Sequence, residues 1–101
     1  MGFCFPFNLG IQEQYVIFDL EATCWEDKND KPKEIIEIGA VKLNDDLEIS
    51  DRFSEFVKPT INPELTEFCK TLTSIKQEDV DNAKTFNDAI KDFDRWILSS
   101  S

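Results

Sequence analysis

Two acids separated by one residue, Asp19 and Glu21, close the apolar run Tyr15-Val16-Ile17-Phe18. Side chains two apart on a strand point to the same face, so a strand over 15–21 sets the two carboxylates side by side. Both faces of the run are apolar until the acids appear, which predicts a central strand buried on both sides. Open α/β sheets place their sites at the C-terminal ends of strands, where this pair falls. Two neighbouring carboxylates at a half-buried position repel one another unless a proton or a cation relieves them. Magnesium and manganese are hard ions that take oxygen ligands. A carboxylate pair holding one such ion, or bridging two, suits in-line attack on a phosphodiester. The same D-x-E spacing also fits a strand that runs out into solvent with both acids hydrated, and three-residue patterns often match by chance.

The elements that must position the pair can be read on either side of it. Residues 1–14 have no clear period and are expected to form a lead-in arm. The polar stretch 25–33, with Asn29-Asp30 and Pro32, reads as a loop. A second strand is expected over 34–43 (EIIEIGAVKL) and a third over 48–57, separated by the turn signal Asn44-Asp45-Asp46 and ended by Pro59. Short connections favour an antiparallel meander. The second half reads as helical. Asn62 before Pro63 predicts a helix over 62–70, and Ser74 with Gln77 has the spacing of a capping box. Thr85 is expected to cap a last helix whose Phe86, Ala89, Ile90, Phe93 and Ile97 fall at helical spacing with Trp96 beside them. Residues 99–101 form a short tail.

The net charge is −10, from 21 acids against 11 bases with no His. This argues against a surface that grips nucleic acid by neutralising phosphates, unless bound metal or further sequence supplies the positive charge. Hydrophobic residues make up 41%, enough for one globular domain. No stretch is long enough to span a membrane. Cys4, Cys24 and Cys69 form no CxxC pair and read as free thiols in a reducing compartment. The start Met1-Gly2-Phe3-Cys4 has Pro6 where the acylation pattern wants Ser or Thr.

Other residues have two readings each. Glu37 faces away from Ile36 and Ile38, and either braces the acids or makes a structural hydrogen bond. Trp25 either stacks on a base or covers the edge of the core. Gly39 is expected to permit close backbone approach within the sheet. Cys24 and Cys69 read as small core residues, and the acidic run 78–81 as a solvated face.

The segments YVIFDLEATCWE, EIIEIGAVKLN and FSEFVKPTINPELTEFCKTLTSIKQEDVDNAKTF, in that order, resemble the 3'-5' exonucleases of the DEDDh type. The likeness is to the exoribonuclease branch of enhanced-RNAi and KapD-like enzymes, and it runs over 15–97. The resemblance implies a ribonuclease-H-like α/β fold, present here as an N-terminal half with a three-stranded antiparallel sheet and helices packed on it. Residues 15–98 would be the partial domain. It implies that Asp19 and Glu21 are catalytic and bind two magnesium or manganese ions. It implies that Glu21, Ala22 and Thr23 receive the terminal nucleotide, with Leu72 and Thr73 lining the same pocket. The partner would be the 3' end of RNA or another single strand, and the compartment the cytoplasm or the nucleus. The family also uses a later Asp, and a His and an Asp from a final helix. Asp79, Asp88, Asp92 and Asp94 match none of these, and the chain has no His, so independent catalysis is not expected. Without the rest of the family's sheet, the first strand is expected to be an exposed edge. On an alternative reading, a second copy or a protein partner would add there, and the chain would be a non-catalytic interaction fragment.

Overall fold

The computed structural model describes residues 2–9 and 12–99, with side chains from 14 to 99. Strands β1 (Gly2–Leu9), β2 (Gln12–Ala22), β3 (Ile35–Leu43), β4 (Ile49–Lys58) and β5 (Lys84–Thr85) form one sheet in the order β1-β2-β3-β4-β5. The helices are α1 (Glu67–Thr73), α2 (Gln77–Asp81) and α3 (Phe86–Leu98). The expected antiparallel meander is present, with Leu20 facing Ile38, Phe18 facing Ala40, and Ala40 facing Phe53 in turn.

Alternation decides which face is covered. Along β3 the buried positions are Ile36, Ile38, Ala40 and Lys42. α3 lies over the face that carries Val16, Ile38 and Ala40, contributing Ala89 and Phe93, with Trp96 and Ile97 packed beside them. Phe93 meets Phe18 edge-on at 5.8 Å and stacks on Trp96 at 6.0 Å, and Phe53 lies 5.3 Å from Phe93. Such ring pairs add about 0.5–1.5 kcal/mol each beyond the area they bury. On the opposite face Ile17 remains 37% exposed. A second cluster, around Ile36, joins Leu65, Cys69, Ile75 and Val80 to the sheet.

The fold departs from the sequence reading at four places. The stretch expected to be an arm forms β1, paired antiparallel with β2 from Gly2↔Asp19 to Leu9↔Gln12. The free side of β2 is therefore paired within the chain from Gln12 to Asp19, and over those residues β2 is not the exposed edge. The sheet has five strands rather than three, because β5 adds parallel to the end of β4. Gly39 does not accommodate a close approach: among the described residues nothing lies within 4 Å of where its Cβ would stand. Residues 100–101 of the expected tail lie outside the described residues.

The fourth departure is the start of the helical half. Asn62 and Pro63 begin no helix, because long-range bonds hold that segment. The Glu34 carboxylate accepts the backbone N–H groups of Thr60 (2.7 Å), Ile61 (3.0 Å) and Asn62 (2.9 Å). Gln77 accepts from Leu65 N–H at 2.7 Å and donates to the Pro63 carbonyl at 2.8 Å. α1 starts only at Glu67, where Thr66 Oγ1 accepts the Cys69 N–H at 3.0 Å. Ser74 is the left-handed residue that ends α1, with φ 63°. α2 is opened instead by Lys76, whose N–H donates to Asp79 Oδ2 at 3.0 Å. Thr85 does occupy the cap position of α3, without a side-chain bond to the helix.

Burial works to raise the Glu34 carboxyl, but the N–H bonds from Asn62, Thr60 and Ile61 outweigh it and hold it below the ordinary carboxylate range. Its stabilisation is thus present above that range and lost as the pH falls through the lowered value. Glu34→Ala should cost about 1–2 kcal/mol at neutral pH, the lower end reflecting solvent access. Urea melts of the variant and the parent should converge in acid.

Glu55 behaves with the opposite sign. It stands across from Ile38 on β4 and keeps one carboxylate oxygen buried without a partner. Burial raises its carboxyl, and the hydrogen bond to Asp92 and the Asp92 charge raise it further, while Lys84 opposes them. Lys84 Nζ lies 2.7 Å from Asp92 Oδ2. The stability contributed by protonated Glu55 is complete below the carboxylate range and lost as the pH rises through its raised value. Glu55→Gln should therefore raise the thermal midpoint at neutral pH by a few degrees, equivalent to under about 1 kcal/mol. That gain should vanish below the carboxylate range.

Candidate active site

Asp19 and Glu21 fall two residues apart on β2, facing Gly39 and Glu37 of β3. The four positions share the face opposite the α3-covered one, so the acids are carried away from the main core. Asp19 is exposed and Glu21 half-buried. The ladder slips by one residue between Glu21 and Ala22, where β2 ends. Such a bulge re-aims the strand beyond it.

Glu37 gathers with the pair. Burial raises its carboxyl above the ordinary range, and the charges of Glu21, Asp19 and, from α2, Asp79 raise it further. Negative charge therefore accumulates over this end of the sheet. The bare position of Gly39, directly across from Asp19, leaves the floor between the acids open. Oxygen-only donors around an open floor fit a hard divalent ion. Among the described residues, no three of His, Cys, Asp and Glu converge closely enough to hold a metal ion by themselves. The arrangement offers a carboxylate pair and a nearby acid rather than a closed cage.

The other sequence-predicted residues are placed with mixed results. Thr23 is buried, its N–H donates to Glu34 O at 2.8 Å, and its Oγ1 accepts the Glu34 N–H at 3.0 Å. Those two groups pin the start of β3 to the end of β2. The Ala22 carbonyl faces Cys69 Sγ at 3.8 Å, and Thr66 Oγ1 donates to Cys24 O at 2.8 Å. These contacts fasten α1 to the end of β2, bringing the helix that carries Leu72 and Thr73 to that end. Leu72 is 66% exposed, one turn from the partly exposed Phe68. The Thr73 hydroxyl turns back onto its own helix, donating to Cys69 O at 2.8 Å and accepting from Ile75 N–H at 3.2 Å.

Trp25 is half-buried under Lys31, whose Nζ lies 5.3 Å from the ring centre, beside an open cleft of about 520 Å³ that reaches Phe68. Sequence reasoning passed over Phe68. Its signal was the one-turn spacing to Leu72, two large apolar residues on a helix whose buried member is Cys69.

The Exonuclease (RNase_T) family profile matches residues 16–101. The chain is 40% identical over 86 residues to ERI1 exoribonuclease 2 of Xenopus laevis, covering 84% of this chain and 12% of that protein. It is 45% identical over 85 residues to human 3'-5' exoribonuclease 1, covering 80% of this chain and 24% of that one. Among solved structures, the nuclease domain of 3'hExo, a DEDDh family member bound to rAMP, superposes with a TM-score of 0.76 at 44% identity. That match covers 79% of this chain and 41% of the other. The chain thus spans a quarter or less of the curated relatives named here. With a family match over most of its length and the same α/β arrangement as a solved member, this chain belongs to the exonuclease family of the DEDDh, ribonuclease-H-like type.

Proposed function

We propose that this chain supplies the first carboxylate pair of a 3'-5' exoribonuclease centre. The reading rests on Asp19 and Glu21 sharing one sheet face, with Glu37 beside them raised by burial and then by their charge, and with open space over Gly39 among the described residues. Asp19 and Glu21 would hold magnesium or manganese, which when bound polarises a phosphodiester oxygen and lowers the pKa of attacking water. Glu21 and Ala22 would meet the sugar of the terminal nucleotide. Leu72 and Phe68 would offer its base an apolar surface, with Thr23 and Thr73 holding the backbone behind them. RNA as substrate is supported by the exoribonuclease relatives and by the rAMP in the solved neighbour. The base that the family resemblance implies is a His, and these 101 residues contain none. The chain alone is therefore expected to release no mononucleotide above background. The interaction-fragment reading would need an edge other than 12–19 of β2, because β1 pairs along those residues.

The direct test is binding of manganese followed by paramagnetic broadening of amide resonances. Broadening is expected first around residues 19–22 and 37–39, and should disappear in Asp19→Asn/Glu21→Gln. Broadening centred on the acidic run 78–81, unchanged in that double variant, would remove the basis for the reading.

A further inference from the structure

Cys24 lies just past the end of β2 and is half-buried, while Cys69 sits in the middle of α1 and is wholly buried. Three contacts bring them together. Thr66 Oγ1 donates to the Cys24 carbonyl at 2.8 Å and accepts the Cys69 N–H at 3.0 Å, and Cys69 Sγ lies 3.8 Å from the Ala22 carbonyl. Cys24 packs against the cluster of Ile36, Leu65, Cys69, Ile75 and Val80. Neither cysteine is disulfide-bonded. Two free thiols in one packed cluster, one reachable from solvent and the other shielded, have the layout of a reacting and a resolving cysteine.

We propose that Cys24 and Cys69 form a redox pair that hydrogen peroxide converts into an intramolecular disulfide, fastening α1 to the end of β2. In the first step the Cys24 sulfur attacks the peroxide. An S–O bond forms, the O–O bond breaks, and the departing oxygen leaves as water with the thiol proton. In the second step the Cys69 sulfur attacks the Cys24 sulfur. The S–S bond forms, the S–O bond breaks, and a second water leaves with the Cys69 proton. The two thiols lose two electrons and one hydrogen peroxide is reduced to two waters.

Burial, with the Cys69 hydrogen bond and charge added, pushes the Cys24 thiol up to about 11. Thiolate is the nucleophile, so the first step is slow at neutral pH and accelerates as the pH approaches that value. The bond would close the long stretch of chain from Cys24 to Cys69, which includes β3 and β4, removing freedom from the unfolded chain. It would also hold the helix that carries Leu72 and Thr73 against the strand of Asp19 and Glu21. This inference stands apart from the exoribonuclease reading, since it concerns chemistry the chain can perform without nucleic acid.

The test uses the full chain with Cys4→Ser, so that only the pair remains. After hydrogen peroxide treatment, intact mass should fall by the two hydrogens lost, peptide mapping should link Cys24 to Cys69, and amide exchange in α1 should slow. The thermal midpoint should rise by about 10 °C and return on reduction. Cys24→Ser, at the less buried position, should abolish the mass loss while leaving the fold intact. Oxidation that stops at Cys24 as sulfenic or sulfinic acid, or a disulfide dimer joined through Cys24, would overturn the proposal.

Discussion

Mononucleotide release by a chimera carrying residues 16–98 of this chain in place of the matching stretch of human 3'-5' exoribonuclease 1 should fall about a thousandfold on Asp19→Ala, the scale of losing a group that stabilises transition-state charge. The same change should leave the thermal midpoint nearly unmoved. Asp19 is exposed near the end of β2 and contributes no buried apolar surface, so its removal opens no cavity and takes away a charge that acts on Glu37. Glu21→Ala should act alike, because the two side chains share one face. Glu37→Gln separates the roles: a neutral amide across from Glu21 lowers the local negative charge, so affinity for manganese should weaken by a modest factor while turnover at saturating metal stays close to the parent. Single-turnover release from a 3'-labelled RNA, measured across a manganese titration, resolves the cases. An Asp19→Ala chimera that cleaves like its parent would show that the acids have no part in the chemistry.

The largest loss of stability is expected at Lys42. It is 0% exposed, and its ammonium donates to the carbonyls of Trp96 and Ser99, both at 2.6 Å, and to Ser99 Oγ at 3.2 Å. It also stands 4.7 Å from the centre of the Trp96 ring. Burial lowers its pKa, while Asp51, its register partner on β4, opposes the shift. Asp51 Oδ2 in turn accepts the Trp96 indole N–H at 3.0 Å. One charge therefore ends α3, orients Trp96 and joins helix to sheet, as a cation at a helix C-terminus should. Lys42→Ala leaves carbonyls without a donor and removes the stem that packs under α3, costing about 3 kcal/mol. In a domain of this size that lowers the thermal midpoint by more than about 10 °C. Lys42→Met restores the apolar stem and should recover roughly half of the loss. Circular dichroism melts of both variants, with amide exchange at the end of α3, separate the bonding from the packing. Equal melts for Lys42→Ala and the parent would show that α3 is held by its aromatic face alone.

These two expectations differ in how much of each could be read from the chain. Asp19 and Glu21 were legible because strand geometry has period two: any extended conformation over that run puts both carboxylates on one face. The meander was legible for the same reason, since alternation over 34–43 and 48–57 and a polar turn between them leave few other pairings. The apolar spacing of α3 likewise marked Ala89 and Phe93 before their partners were known.

What only the tertiary structure decided are the polar bonds between residues far apart in sequence. Lys42 at the end of a strand has the look of a solvated cation, and its burial follows from where α3 happens to end. Asn62 and Pro63 carry a sound local helix signal, overruled because Glu34, 26 to 28 residues away, takes the N–H groups at this point. The first residues show no period, yet they pair with β2 from Gln12 to Asp19. Backbone pairing needs no side-chain pattern to announce it, whereas burial of an apolar face does. Periodicity therefore revealed the elements and the acid pair, while hydrogen bonds across long sequence separations, which leave no local trace, determined how those elements were tied together.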